Sequence, residues 1–296
     1  ELGPASPQMP STLIPESMAQ QPKGDANGTE DCLHLNVWSN SLKGKRPVMV
    51  WFHGGGYSAG SSNWNMYNGG NLAAKHDVVV VTVTHRLNVF GYLYLAELGG
   101  EKFANASNVG MLDCIAALEW VRDNIGAFGG DAGNVTVFGE SAGGGSVAIL
   151  MVSPLAKGLF ARGISQSGGG AGVLESEMER SFANRPSAML QGQAFMTAAG
   201  VANTSDIRAL RALPVDRLIG GPIASRGWPF VDGTILPEPV ARMLNWPESA
   251  DSGTPEKNAV AARAELPTVR PRMTAGASAW VMSASGSVSS RRMPRL

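Results

Sequence analysis

Hydrophobic residues follow a strand-like spacing in the first part of the chain. Leu33, Leu35 and Val37 alternate with polar neighbours, which predicts a half-buried strand. Residues 48–52 and 78–83 are nearly continuous apolar runs. Runs of this kind are typical of strands in a parallel sheet that helices cover on both faces.

A helical spacing follows within residues 108–125. Apolar residues recur there every three or four positions until Gly126, namely Leu112, Ile115, Leu118, Val121 and Ile125. Another apolar strand is predicted at residues 135–138, and a helix of small residues at about 142–151. The alternation of strands and helices predicts an α/β fold with a mostly parallel sheet flanked by helices.

Composition divides the chain into three parts. Residues 1–30 are rich in Pro, Ser, Gln and Gly without periodicity, which predicts a loop-rich segment. Residues 31–246 carry the strand and helix patterns, and within them we expect 175–213 to be helical, with methionine and aromatic side chains that pack in the core. Residues 247–296 contain no Ile, Phe or Tyr, so we expect a disordered or poorly packed tail.

Charge and cysteine content narrow the possible partners. The 296 residues include 24 basic and 24 acidic side chains, so the net charge of zero argues against nucleic acid or an anionic membrane as the main partner. No apolar run approaches the length of a membrane span. The two cysteines form no metal-binding pattern, and we expect no metal or cofactor. The chain begins at Glu1 without a leader pattern, so we expect a cytoplasmic or processed secreted protein, or a segment of a longer one.

The first glycine motif that carries chemistry is Gly139-Glu140-Ser141-Ala142-Gly143. It follows a predicted strand and opens a predicted helix, which is the setting of a G-x-S-x-G nucleophile elbow. Glycine is needed two residues on either side of the serine because side chains there would collide with the neighbouring strand and helix. The sequence therefore predicts Ser141 as a nucleophile at a helix N-terminus, where the helix dipole favours developing negative charge.

The second motif is His53-Gly54-Gly55-Gly56, directly after the predicted strand 48–52. Acyl transfer requires backbone N–H groups that are directed at the oxyanion of the tetrahedral intermediate. Glycines allow the backbone to approach the substrate that closely. We predict an oxyanion hole formed by Gly55, Gly56 and the N–H group of Ala142.

These motifs, together with further stretches, resemble the type-B carboxylesterases of the α/β-hydrolase superfamily, which include cholinesterases and bacterial para-nitrobenzyl esterases. The resemblance is dense over about residues 30–170. It rests on Glu-Asp-Cys-Leu-His-Leu-Asn-Val at 30–37, Asn-Val-Gly-Met-Leu-Asp at 108–113, Ala-Leu-Glu-Trp-Val at 117–121, Phe-Gly-Gly-Asp at 128–131 and Phe-Gly-Glu-Ser-Ala-Gly-Gly at 138–144. It implies an α/β-hydrolase fold and a carboxylic-ester hydrolase that acts on a small-molecule ester through an acyl-Ser141 intermediate. It does not indicate an oligomeric state.

The chain departs from the family pattern at three positions outside the two glycine motifs. Ser6 stands where the family usually has the cysteine that pairs with the one at Cys32, so Cys32 is expected to be unpaired. Cys114 replaces a common glutamine, and His85 replaces the tyrosine of an Asn-Tyr-Arg stretch. The chain also begins after the start of the family pattern.

The catalytic triad is the largest departure. The superfamily orders its triad as serine, acid, histidine along the chain. Here all four histidines precede Ser141, and the 155 residues after it contain none. No Asp-Glu-Gly-like sequence follows residue 247 to supply the family's acid, so the acid is unknown and no catalytic histidine is identifiable.

Other side chains could replace the missing base. His53 lies closest to Ser141 by motif, although in the family this residue is usually a structural hydrogen-bonding group. His76 and His85 flank the strand at 78–83 and fit surface or framework roles. We expect Glu140 to be a buried structural carboxylate that points into the scaffold.

Three functions stay open on the sequence alone. The chain could be an ester hydrolase, a non-catalytic binding member of the family, or a fragment that a frameshift or truncation deprived of its C-terminal region. An intact Ser141 and oxyanion loop favour the enzyme, because a binding protein needs neither.

Overall fold

The computed structural model describes residues 2–9, 28–96, 100, 103, 106–168, 176–177, 186–201, 208–220, 227–244, 259–263, 272–273 and 289–292. A mixed sheet forms its centre. The strands in chain order are β1 His34–Trp38, β2 Arg46–Phe52, β3 Val79–Thr84, β4 Gly130–Glu140, β5 Arg162–Gln166, β6 Ser176–Glu177, β7 Phe230–Val231, β8 Ala259–Arg263, β9 Arg272–Met273 and β10 Ser289–Arg292.

Eight of these strands form the main sheet in the order β10-β1-β3-β2-β4-β5-β8-β9, while β6 and β7 pair separately. The central strands β3, β2, β4 and β5 are parallel, with Val50 opposite Val81 and Val137. Strand β1 joins β3 in antiparallel register, which places His34 opposite Thr84. The mostly parallel sheet of an α/β fold is therefore confirmed.

Helices connect the parallel strands and flank the sheet. They are α1 Gly70–His76, α2 Asn88–Tyr92, α3 Val109–Asn124, α4 Ala142–Val152, α5 Ala188–Ala198, α6 Arg208–Arg211, α7 Val215–Ile219 and α8 Val240–Met243. The predicted helix at 108–125 is thus α3; it gives way to a 3-10 turn, and the chain turns at Gly129 with φ +76°. None of the helices in the described ranges has the length and apolarity that crossing a bilayer requires.

The core lies between one face of the sheet and helices α3 and α4. Val50 and Phe52 of β2 and Val137 of β4 are fully buried in one apolar cluster with Leu118 of α3 and Val147 of α4. The opposite face of β2 is less covered than the continuous apolar run at 48–52 predicts, since Met49 and Trp51 are only half-buried. An open groove of about 440 Å³ runs along that face beside helix α1, and Trp51, Val80 and Phe138 line it.

The tail after residue 246 contains three short strands, which the composition did not predict. Strand β8 pairs with β5 and with β9, and β10 pairs with β1, so all three lie at the outer parts of the sheet. Backbone pairing needs no large apolar side chains, and this explains how an Ala- and Ser-rich segment can add to an edge. The rest of the tail lies outside the described residues, and the disorder expected for it stays a prediction.

The helical region predicted at 175–213 is described only in part. Helices α5 and α6 lie within it, and Phe195 and Met196 of α5 are buried in a small cluster with Leu210. Residues 176–177 form a strand instead of a helix, because they pair with residues 230–231. Met178 and Phe182 lie outside the described residues.

The N-terminal segment 2–9 has no helix or strand, and side-chain hydrogen bonds hold it against the sheet. Gln8 accepts from the Gly60 N–H at 2.7 Å, and Asn88 donates to the Pro7 carbonyl at 2.7 Å. The fully buried Ser6 hydroxyl accepts from the Leu87 N–H at 3.2 Å and hydrogen bonds with the Cys32 thiol. Burial raises the pKa of that thiol to about 12, and both cysteines are buried and free.

The contact between Ser6 and Cys32 gives a first prediction. A Ser6→Cys variant is expected to form a disulfide with Cys32 and to raise the free energy of unfolding by about 3 to 4 kcal/mol, because the bond closes a loop of about 27 residues. The measurement is urea unfolding under oxidising and reducing conditions. Ser6→Ala is the matched control, since it removes the hydroxyl without adding a thiol. The variant has three cysteines, so the disulfide would leave one titratable thiol, and three free thiols in the oxidised, denatured variant would contradict the prediction.

Candidate active site

Ser141 occupies a sharp turn between a strand and a helix. Strand β4 ends at Glu140, helix α4 begins at Ala142, and Ser141 between them has φ 56° and ψ −122°. A positive φ is unusual for a residue other than glycine and costs conformational energy. Two backbone hydrogen bonds hold the turn: the Ser141 N–H donates to the Gln166 carbonyl at 2.8 Å, and its carbonyl accepts from the Gly145 N–H at 3.0 Å.

Two glycines allow this turn to pack tightly. A Cβ atom at Gly139 would lie 2.5 Å from the Gly143 backbone, and one at Gly143 would overlap the backbone carbonyl of Phe52. Both contacts are with backbone atoms of the central strands or of α4 itself, so no flexible side chain could move away. The close approach of α4 to β2 therefore depends on glycine at both positions.

The glycine loop after β2 lies beside Ser141. A Cβ atom at Gly54 would lie 3.2 Å from the Cβ atom of Ser141. Gly55 and Gly56 have φ values of +112° and +63°, and the Gly55 carbonyl accepts from the Ala59 N–H at 3.1 Å. The tertiary structure thus brings together the two motifs, which are separated by more than eighty residues in sequence.

Helix α4 begins beside the serine, and among the described residues its first N–H groups have no hydrogen-bond acceptor. The first residues of a helix have no carbonyl partner within it, and in α4 these begin with Ala142. The Ser141 residue is half-buried, and its hydroxyl has no hydrogen bond with any side chain in the described ranges. The serine is therefore positioned next to unused N–H donors, but no described group prepares its hydroxyl for proton loss.

His53 does not act on the serine hydroxyl in this structure. Its Nδ1 atom donates to the Gly54 carbonyl at 2.8 Å, and its Nε2 atom is buried without a partner in the described region. Burial, together with the neighbouring imidazole of His85, lowers the pKa of His53 to about 3. An imidazole with so low a pKa is a weak base at neutral pH.

The other three histidines are also placed away from base chemistry. His85 is buried against His53, with ring centroids 4.7 Å apart, and burial lowers its pKa. His34 lies in a buried polar cluster, where its Nε2 atom is 3.2 Å from the Asn63 side-chain nitrogen and 3.3 Å from the Thr84 hydroxyl. His76 is exposed at the end of α1.

The expectation of a buried Glu140 is wrong. The residue is the exposed last residue of β4. Its carboxylate lies near the glycine loop, 3.1 Å from where a Gly54 Cβ would be. Partial desolvation raises its pKa. Burial, and the charge of Glu140, raise the pKa of the nearby Tyr67 phenol to about 12. No sequence motif indicates that Tyr67 lies near Glu140.

Two polar contacts that connect the chain segments around the site were not predicted from the sequence. Asp113 of α3 is fully buried and accepts hydrogen bonds from the Arg86 guanidinium at 2.6 and 2.9 Å. Asn108 donates to Asp232 at 2.7 Å and also bonds with the backbone of Phe230. Both contacts join residues far apart in the chain, which a local pattern cannot indicate. No cluster of His, Cys, Asp and Glu suited to a metal ion occurs in the part of the chain that the structure describes.

Comparison with known sequences places the chain beside esterases. The sequence model of the carboxylesterase family matches residues 2–251. The chain is 48% identical over 160 residues to the para-nitrobenzyl esterase of Bacillus subtilis, which covers 54% of this chain and 31% of that protein. It is 50% identical over 143 residues to liver carboxylesterase 1 of Oryctolagus cuniculus, which covers 47% of this chain and 24% of that protein.

Solved structures agree with the sequence relatives. A carboxylesterase of Geobacillus stearothermophilus superimposes with a TM-score of 0.68 at 40% identity, covering 78% of this chain and 47% of that one. A para-nitrobenzyl esterase structure gives a TM-score of 0.70 at 36% identity, covering 83% and 50%. The chain thus spans at most about a third of the curated relatives and about half of the solved ones.

Proposed function

Because the chain belongs to the carboxylesterase family, we propose that Ser141 is the nucleophile of an ester-hydrolase site whose substrate is a small carboxylic ester. The observation that carries the proposal is the strained turn at Ser141, with φ 56°, directly beside the glycine loop. Strained backbone of this kind is maintained only where the surrounding structure enforces it, and it is concentrated at functional sites.

The proposed reaction proceeds through an acyl-enzyme. The Ser141 oxygen attacks the ester carbonyl carbon, the carbon–oxygen bond to the alcohol breaks, and the alcohol leaves with the proton that the serine hydroxyl loses. Water then cleaves the acyl-Ser141 ester and releases the acid. The N–H groups of Gly55, Gly56 and Ala142 are proposed to stabilise the oxyanion in both steps, a contribution worth about 10²- to 10³-fold per donor.

The base is the incomplete part of this proposal. Among the described residues no imidazole hydrogen bonds with Ser141, and His53 holds the Gly54 carbonyl instead. A hydrolase that lacks one triad member keeps about 10³- to 10⁴-fold catalysis over water through its oxyanion hole and binding. We therefore propose that this chain by itself acylates slowly and turns over slowly.

The domain organisation is part of the proposal. We infer that residues 31–246 form the hydrolase unit, and that residues 1–30 are an irregular segment attached to it. The hydrogen bonds between Gly60 and Gln8 and between Asn88 and Pro7 support a close attachment of that segment. Residues 247–296 are proposed to contribute edge strands but no catalytic group.

A second candidate is a non-catalytic binding member of the same family. The observation that favours it is the engagement of His53 and His85 in a buried pair, which leaves Ser141 without a base in the described residues. A non-catalytic protein would still fold cooperatively, but its serine would be unreactive.

Labelling by a nitrophenyl phosphonate ester separates the two candidates. The probe forms an oxygen–phosphorus bond with an activated serine and releases one nitrophenol, so no turnover is needed. We expect stoichiometric labelling of Ser141, located by peptide mass spectrometry, and slow hydrolysis of nitrophenyl butyrate. Both signals should vanish in Ser141→Ala, while Ser146→Ala, which changes a buried serine of α4, should keep the labelling. A folded wild-type chain that stays unlabelled would refute the nucleophile and favour the binding candidate.

A further inference from the structure

His53 and His85 form a buried stacked pair behind the glycine loop. His53 follows β2 and His85 follows β3, and these parallel neighbours end side by side. The two rings are 4.7 Å apart between centroids and lie within 6° of parallel. Their exposures are 2% and 1%, so solvent does not reach either ring.

The hydrogen bonds define one tautomer for both rings. Nδ1 of His53 lies 2.8 Å from the Gly54 carbonyl oxygen, and Nδ1 of His85 lies 3.1 Å from the Arg86 carbonyl oxygen. A carbonyl oxygen can only accept, so each Nδ1 atom carries the proton of a neutral imidazole. Each Nε2 atom is then an unprotonated acceptor, buried and without a partner in the described ranges.

The His53 ring fixes the orientation of one peptide in the glycine loop. In a trans peptide the carbonyl and the following N–H point in opposite directions. Because the Gly54 carbonyl is directed at His53, the Gly55 N–H is directed away from that ring. The loop also packs closely against the same edge of the ring, since a Cβ atom at Gly60 would overlap the His53 Nδ1 atom and lie 2.7 Å from the Gly54 carbonyl oxygen.

We propose that His85 is a positioning residue for this loop: its neutral ring holds His53 in the orientation and tautomer that direct the Gly55 N–H toward the oxyanion. The inference rests on the proposed ester-hydrolase function. His85 itself touches neither the serine nor the substrate and acts only through His53.

Charged groups around the pair determine how it responds to acid. His53 faces His85, with Glu140 and Tyr67 on the far side of Gly54. His85 faces Asp113 of α3, whose carboxylate already binds Arg86. A proton added to either Nε2 atom would place an unpaired charge in a stack without solvent. We therefore expect the loop to lose its geometry in acid. The tyrosine that the family has in place of His85 would not be protonated in the same pH range.

The first measurement is the long-range ¹H–¹⁵N spectrum of the imidazoles in the ¹⁵N-labelled full chain. Wild type is expected to show both rings protonated at Nδ1, with His53 still neutral at pH 5. His85→Phe keeps an aromatic ring and should preserve the His53 tautomer. His85→Ala should let the His53 ring exchange tautomers and gain a proton between pH 5 and 7.5. His76→Ala, which changes an exposed histidine, should alter neither ring.

The second measurement is the rate of phosphonate labelling at neutral pH. His85→Phe is expected within about threefold of wild type, and His85→Ala at least tenfold slower, because one oxyanion donor loses its orientation. A His53 ring protonated at Nε2 in wild type, or changed in His85→Phe, would overturn the proposal even if His85→Ala does not fold. So would an unchanged His53 spectrum and labelling rate in His85→Ala. If neither wild type nor any variant is labelled, the proposed ester-hydrolase function fails. The imidazole spectra then still decide whether His85 holds His53.

Discussion

A Gly143→Ala variant is expected to lose about 3 to 5 kcal/mol of unfolding free energy and all detectable labelling of Ser141. The added Cβ atom would overlap the Phe52 carbonyl and lie within 2.8 Å of the His53 carbonyl oxygen. Both are backbone atoms at the end of a central strand, where the sheet prevents movement. Relief requires α4 to move away from β2, and that movement carries Ser141 away from the glycine loop.

The matched control is Gly126→Ala. Gly126 lies in the 3-10 turn after α3, and a Cβ atom there would meet nothing within 4 Å. We expect its unfolding free energy to stay within about 0.5 kcal/mol of wild type, as for a surface substitution. Urea unfolding followed by circular dichroism measures stability, and nitrophenol release measures labelling. Equal stability of the two alanine variants would show that α4 does not depend on glycine at 143.

The second large effect is expected from Asp113→Ala, which removes the partner of a partly buried guanidinium. Asp113 is fully buried and accepts three hydrogen bonds from Arg86, including one from its backbone N–H at 3.0 Å. Removing one partner of such an ion pair leaves an uncompensated charge and costs about 3 to 5 kcal/mol. The loss should appear as a lower urea midpoint with an unchanged slope.

The same helix provides the control for this prediction. Asp123 of α3 pairs with Arg122 at 2.7 Å, but the two side chains are 57% and 50% exposed. Exposed pairs contribute about 0 to 1 kcal/mol, so Asp123→Ala should change stability little. The double variant Arg86→Met with Asp113→Leu should recover much of the loss, because apolar replacement of a buried pair is often neutral. Similar losses in both single alanine variants would contradict the assignment to burial.

Much of the fold could be predicted from local patterns. The strands at 48–52 and 78–83 and the helix at 108–125 occur within two residues of their expected bounds, and the strand predicted at 135–138 lies inside the longer β4, because apolar runs and 3.6-residue spacings report burial directly. The edge strands after residue 246 could not be predicted, since main-chain pairing leaves no side-chain pattern. The exposed Glu140 was missed for a similar reason: its neighbours Gly54 and Tyr67 are distant in sequence and meet it only where the parallel strands end.

For the candidate site, sequence alone determined the kinds of residue and their local geometry. The glycine spacing around Ser141 requires a sharp turn, the three glycines after His53 allow a close backbone approach, and the order of the chain places every histidine before the serine. Only the tertiary structure decided which groups meet. Parallel strands β2, β3 and β4 end at one edge, so Gly54 lies against Ser141 and His53 stacks on His85. Contacts of this kind depend on strand order and register, which long-range packing selects and no local sequence pattern encodes.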